Sequence, residues 1–171
     1  MTKLRTIGVL AGGDSPEREI SLVSGKHVLE ALGRIGEDAR FLELRTLDDL
    51  VPQLTGIDVV FNCLHGGGGE DGTVQLLLDV FGIPYPGSGV QACARAMNKA
   101  RARSLFEAQE IPIAKGLSYQ EGDLAAFLDT AKEEIGFPLV IKPGNGGSTI
   151  GVSLVEGHEK LSAAATAILE A

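Results

Sequence analysis

Basic residues are in the minority in this 171-residue chain, where 15 Lys and Arg stand against 23 Asp and Glu for a net charge of -8. Proteins that neutralise a nucleic acid carry a basic footprint, so no nucleic-acid partner is expected. A small anion remains open, because a few backbone N–H groups and one or two lysines can hold a triphosphate within an acidic protein. Cysteine is scarce too. Cys63 and Cys93 form no CxxC pair, which removes a disulfide framework and suits a reducing compartment. Long apolar runs are missing: none approaches the roughly 20 residues of a membrane span. The start, Met1-Thr2-Lys3-Leu4-Arg5, lacks the apolar core and cleavage site of a signal peptide. A cytoplasmic protein with no membrane partner is the expectation. Internal repeats and low-complexity segments are absent as well.

Apolar runs alternate with helical periodicity. Ile7 to Ala11 is short, apolar and closed by Gly12-Gly13, the pattern of a buried strand. Ser15 before Pro16 offers a capping hydroxyl ahead of a first-turn proline. Ile20, Val23, Val28, Ala31 and Leu32 then recur at helical spacing until Gly33 or Gly36. His27 falls on that face and reads as packing. Strands are predicted over 41–44 and 59–64, with a short helical piece over 47–54 between them. A loop over 65–72, a helix over 73–81, an extended 83–86 and a further helix ending at Met97 complete the first region. Strands alternating with helices predict a parallel sheet, and ligands in such sheets bind at the carboxyl ends of the strands. Beyond residue 98 the pattern changes. Asn98 can cap a helix over 99–109; a strand over 116–119, a helix over 123–135, a strand pair over 139–142 and 150–155, and a helix over 161–169 follow. The strand pair reads as antiparallel. The two cysteines read as buried small apolar residues, and His158 as surface.

Three glycine-rich loops could carry chemistry. The first runs from Gly12 through Ser21. A strand–Gly-Gly–helix turn aims N–H groups and the positive helix end at one point. Glu17, in the first turn, could accept a salt bridge from an amine, although complementing the helix dipole is the simpler reading of that segment alone. The second loop, His65 through Gly72, has four consecutive glycines whose entropic cost calls for a close backbone approach. His65 could meet a carboxylate or could equally be a structural histidine bonded to its loop. The third runs from Lys142-Pro143 through Val152. A flexible glycine-rich hairpin behind a lysine can close over a triphosphate. It is not a Walker loop, which leads into a helix. Lys99, taken alone, reads as solvated surface.

Together these segments resemble the D-alanine–D-alanine ligase family of the ATP-grasp superfamily. The matching pieces are Gly12-Gly13-x-Ser15-x-Glu17-x-Glu19-x-Ser21, His65-Gly66-x-x-Gly69-Glu70-Asp71-Gly72-x-x-Gln75, Gly87-Ser88-Gly89, Met97-Asn98-Lys99, Lys142-Pro143 and Gly147-Ser148-Thr149-x-Gly151-Val152. They stand in the family's order across almost the whole chain. The resemblance implies an α/β fold: a Rossmann-like parallel-sheet pre-ATP-grasp domain over 1–97, then a partial α+β ATP-grasp subdomain over 98–171. It implies that Glu17 anchors the ammonium of the first D-alanine and that His65 lies near that substrate's carboxylate. Ser148 would bond to the anchoring glutamate. Lys99 and Lys142 would contact the ATP phosphates, with Gly147, Ser148 and Thr149 covering the nucleotide.

The implied reaction phosphorylates the first D-alanine with ATP and Mg2+, giving an acyl phosphate that the second D-alanine's amine attacks, for peptidoglycan synthesis. Asn98, where an aspartate is common, and Asn145-Gly146, in place of a more usual Arg-Glu-type pair, depart from the family pattern. The family continues past residue 171, and the magnesium carboxylates, oxyanion arginine and adenine pocket are expected there. No metal ligand is therefore assigned within this chain, which alone is expected to be an inactive fragment; the full enzyme is expected to be a homodimer. Two other readings stay open: a non-catalytic D-alanine or nucleotide-binding module, and a ligase joining D-alanine to D-lactate or D-serine.

Overall fold

The computed structural model describes residues 5–170; the Met1–Leu4 stretch weighed above as a leader lies outside them. The chain divides into two compact units, Met1–Met97 and Asn98–Ala171. In the first, β1 (Ile7–Gly12), β2 (Ala39–Leu44) and β3 (Val59–Asn62) form a parallel sheet in the order β2-β1-β3. Strand β1 is central and buried from Gly8 onward, as a sheet covered on both faces requires. Leu10 points into one core with Leu42, Leu44, Val60, Val74 and Leu78. Val9 and Ala11 face the other way and meet Cys63 beneath Leu22, Val28, Leu29 and Leu32. The extended 83–86 segment lies beside the sheet, where the Val60 amide donates to the Pro84 carbonyl at 3.0 Å.

Helix α1 (Arg18–Arg34) crosses between β1 and β2. Its end is the one glycine spacing predicts. Gly36 has φ +82°, its N–H donates to Gly33, and the Glu37 N–H donates back to Leu32, the paired closure that a left-handed glycine permits. Its start is later than expected. Pro16 and Glu17 form a turn, and the Ser15 hydroxyl accepts from the Glu17 N–H at 3.1 Å rather than capping the helix itself. Its buried face also differs. Ile20 and Val23 are 58% and 53% exposed, and His27 is exposed with them. The face against the sheet instead carries Ser21 and Gly25. A Cβ on Gly25 would lie 2.6 Å from the Ala11 Cβ, so helix and strand approach more closely than a larger side chain permits.

Ser21 is fully buried. Its hydroxyl accepts from the Gly12 N–H at 2.8 Å and donates to the Cys63 carbonyl at 2.7 Å. One side chain thus joins the ends of β1 and β3 to the helix. Ser21→Ala would leave a buried donor and a buried acceptor without partners, an expected loss of about 2–3 kcal/mol readable as a lower urea midpoint with unchanged slope.

The remaining helices of this unit are α2 (Leu50–Gln53), α3 (Gly67–Glu70), α4 (Thr73–Val80) and α5 (Val90–Met97). In the second unit, α6 (Lys99–Ala108) is capped by Asn98, whose Oδ1 accepts from the Arg101 N–H at 2.9 Å. Helix α7 (Leu124–Glu134) is capped by Asp123, which accepts from Ala125 and Ala126. Strands β4 (Leu139–Ile141) and β5 (Ser153–Val155) pair antiparallel, and α8 (Leu161–Leu169) closes a small core of Leu128, Leu139, Val155, Leu161 and Ala165. The predicted strand over 116–119 does not form. That segment is held by side chains instead: Arg103 donates to the Ala114 carbonyl at 2.7 Å, and the Tyr119 ring lies 5.2 Å from Phe127. The last strand is shorter than predicted, because the Ile150 and Val152 amides fold back onto Gly147 and Thr149 in successive turns. The expected order of a parallel α/β unit and then an α+β unit is the architecture observed.

Candidate functional site

In the first unit, the loops after β1 and β3 meet at the carboxyl ends of their strands. Gly12 and Gly13 turn with φ of +96° and +88°. Arg18 ties this turn down, donating to the Gly13 carbonyl at 3.1 Å, to the Leu44 carbonyl, and to Glu43 Oε1 at 2.6 Å. The next residue outward is Glu17, only 8% exposed. Ser15 bridges to the second loop, its hydroxyl donating to the His65 carbonyl at 2.6 Å. A Cβ on Gly66 would fall 2.7 Å from Glu17 Oε2. The glutamate carboxylate therefore lies against the backbone of the second loop, and glycine is what admits it. Gly12, Gly13, Ser15, Leu64, His65 and Gly66 line a small open cleft here.

His65 is hydrogen-bonded at one ring nitrogen and faces a carboxylate at the other. Ser24 Oγ lies 3.3 Å from Nε2, and Glu70 Oε1 lies 3.7 Å from Nδ1. The glycine tract is not a featureless loop, since Gly67–Glu70 makes one helical turn. The Gly69 carbonyl accepts from Asn62 Nδ2 at 3.0 Å and Gln75 Nε2 at 3.1 Å, and Asn62 Oδ1 accepts from the Leu64 N–H. Ser24, Asn62 and Arg18 were not singled out from the sequence. A signal for Ser24 existed: Glu17, Ser21 and Ser24 recur at steps of four and three, one face of a helix. Cys63 is buried, and burial pushes its thiol up. Cys93 is only half-buried, its thiol donating to the Ser88 carbonyl at 3.3 Å, so the expectation of a buried residue fails there. His158 is exposed.

The second unit gathers Lys99, Lys142 and the third glycine loop. The Lys99 N–H donates to the Gly144 carbonyl at 2.9 Å, and its ammonium donates to the Gly146 carbonyl at 2.7 Å. Lys99 is thus part of the loop's framework, not the solvated surface residue it suggests in isolation. Partial burial, and then the neighbouring Lys142 charge, hold its ammonium below the usual lysine range. Ser148 and Thr149 have φ of +50° and +66°, rare for side-chain-bearing residues and rarest for a β-branched one. Two cations that repel each other, one of them bonded to the glycine-rich loop, form an arrangement that an anion relieves.

Lys142→Gln is expected to move the Lys99 ammonium back toward the lysine range, leaving the part due to burial. A side-chain NMR titration would read that rise. Because the folded value is lowered, the unfolded chain holds the proton more tightly. Stability therefore rises with pH across the alkaline window between the lowered and ordinary values, and the variant narrows that window. Among the described residues no group of three His, Cys, Asp or Glu side chains could hold a metal ion, and no helix is long and apolar enough to cross a membrane.

The two units carry the fold of the ATP-grasp ligases. A family model described as the D-ala D-ala ligase N-terminus matches residues 37–88, and one described as the D-ala D-ala ligase C-terminus matches residues 105–171. A D-alanine–D-alanine ligase of Geobacter sulfurreducens is 47% identical over 163 residues, 95% of this chain and 50% of that protein. One from Alkalilimnicola ehrlichii is 46% identical over 92% of this chain and 49% of its own length. The crystal structure of the Bacillus anthracis D-alanine–D-alanine ligase superposes with a TM-score of 0.86 at 32% identity, over 97% of this chain and 54% of that one; its complex with ATP gives 0.79 at 29% identity, over 97% and 55%. The chain belongs to the D-alanine–D-alanine ligase family, and it spans about half the length of the curated relatives it matches.

Proposed function

We propose that this chain is the first-substrate and phosphate-binding half of an ATP-dependent D-alanine–D-alanine ligase. The observation that carries the reading is the burial of the Glu17 carboxylate against the backbone of the second glycine loop, beside His65. A carboxylate at the carboxyl end of a parallel sheet, where such sheets bind ligands, can accept from a cationic ligand group, and a free amino acid supplies an ammonium. Glu17 accepts from that ammonium, and His65 serves the carboxylate end. Lys99 and Lys142 neutralise phosphate oxygens, and Gly147, Ser148 and Thr149 cover them with backbone N–H groups. The 1–97 and 98–171 units act as the two corresponding domains.

ATP supplies its γ-phosphoryl group to the carboxylate oxygen of the first D-alanine, releasing ADP. The amine of the second D-alanine attacks the carbonyl carbon of this acyl phosphate; the C–N bond forms, the amine loses its proton and phosphate leaves with the bonding pair. The chain's own residues act by position and charge. The magnesium carboxylates belong to the half of the relatives that this chain does not span, and the setting is the cytoplasm.

A chimera tests the reading. Residues 5–170 replace the matching segment of the Geobacter sulfurreducens relative, and product is measured with ATP, Mg2+ and D-alanine. ATP-dependent D-alanyl-D-alanine is the expected product. A folded chimera that releases no ADP when D-alanine is added would sink the proposal. The isolated chain is expected to form no dipeptide in the same assay.

A further inference from the structure

We propose that Ser24 is a positioning residue for His65, which it holds, together with Glu70, in one ring orientation and one tautomer. The inference deepens the ligase reading and rests on it only for the part His65 plays toward substrate. Three restraints converge on this histidine. The Ser15 hydroxyl donates to its carbonyl at 2.6 Å and fixes its backbone. Glu70 Oε1 stands 3.7 Å from Nδ1, and Ser24 Oγ stands 3.3 Å from Nε2. The negative charge of Glu70, 3.7 Å from Nδ1, favours the proton of the neutral ring on that nitrogen. Nε2 then has a lone pair, and the Ser24 hydroxyl donates to it.

The position of Ser24 is itself over-determined. It lies one turn beyond Ser21, whose hydroxyl is bonded to both Gly12 and Cys63 in the core, so helix α1 cannot rotate Ser24 away without breaking buried hydrogen bonds. A ring hydrogen-bonded at Nε2 and facing the Glu70 charge at Nδ1 stays in place; released at Nε2 it samples other rotamers, and a ligand must then order it again. Glu17, Ser21 and Ser24 thus place an anchor, a brace and a histidine support along one helical stripe.

The test has two independent arms. In a His27→Gln/His158→Gln background His65 is the sole imidazole, and its two nitrogens are read by long-range 15N–1H correlation at alkaline pH. The parent is expected to give separate pyrrole-like Nδ1 and pyridine-like Nε2 resonances. Ser24→Ala should draw them toward each other as tautomers and rotamers mix, and Ser24→Thr should keep them apart. In the chimera, Ser24→Ala should raise the KM for the first D-alanine about 3–10-fold, the range of one lost hydrogen bond, with kcat nearly unchanged and Ser24→Thr close to the parent. Unchanged nitrogen resonances in Ser24→Ala, a pyridine-like Nδ1 in the parent, or a fall in kcat without a rise in KM would each overturn the proposal. The spectra need no substrate, so a chimera inactive with Ser24 intact refutes the ligase reading while the spectra still decide this one.

Discussion

In the chimera, Glu17→Gln is expected to raise the KM for the first D-alanine by roughly 30–1000-fold, the range that follows when about 2–4 kcal/mol is lost with one partner of a desolvated charge pair. Glutamine keeps the shape of the side chain, so the close approach to Gly66 survives. What disappears is the negative charge that a substrate ammonium would meet. The melting curve of the variant serves as the control and should move little. The result also separates two accounts of the same residue. If Glu17 only complements the positive end of α1, its neutralisation costs about 0.3–1 kcal/mol of stability and leaves KM alone. A KM within threefold of the parent, with a lower melting temperature, would sink the anchoring role.

Gly12→Ala is expected to cost about 4 kcal/mol, a large share of a total stability of about 5–15 kcal/mol, since strain and overpacking each contribute about 1–3 kcal/mol. Two independent effects coincide. Gly12 has φ +96°, which an alanine resists. An added Cβ would also collide with the Leu44 carbonyl oxygen and come within 2.6 Å of Arg18 Nη1. A side chain could swing away, but that carbonyl is fixed: it accepts from the Gly13 N–H at 2.9 Å and from Arg18. Soluble yield and chemical denaturation would read the loss. By contrast Gly33→Ala, at a position with nothing within 4 Å of a new Cβ, should be neutral or slightly stabilising.

Local signals in the sequence carried far where a residue's role is local. The Gly36 helix stop and the Asn98 cap need only their neighbours, and both are where spacing put them. The periodicity of α1 misled, because apolar residues lie on both of its faces and Ile20 and Val23 suggested the wrong one. The packed face is marked by Ser21 and Gly25, whose small size matters only once Ala11, Phe41 and Cys63 are known to lie beneath. The glycine tract concealed a helical turn for a similar reason. Its stability depends on Asn62 and Gln75, one of which precedes the tract and the other follows it. At the candidate site, Glu17, His65 and Lys142 were noticed by residue type within glycine-rich loops, whereas Lys99 entered only through the family resemblance. Ser24 and Arg18 act through partners 41 and 26 residues away, a distance no window of local pattern spans.

The brace at Ser21 has a thermodynamic consequence for ligand capture. The proposed first-substrate corner is built on a helix already locked to the sheet by core hydrogen bonds, so little freedom remains to be lost when a ligand arrives. The loop over residues 144–152 is rich in glycines and left-handed residues, and Lys99 holds it only at the Gly144 and Gly146 carbonyls. Ordering it around phosphates would freeze many torsions. Calorimetry on the two ligands separately should therefore show different balances of enthalpy and entropy: amino-acid binding with a small conformational penalty, and nucleotide binding with a large favourable enthalpy opposed by ordering.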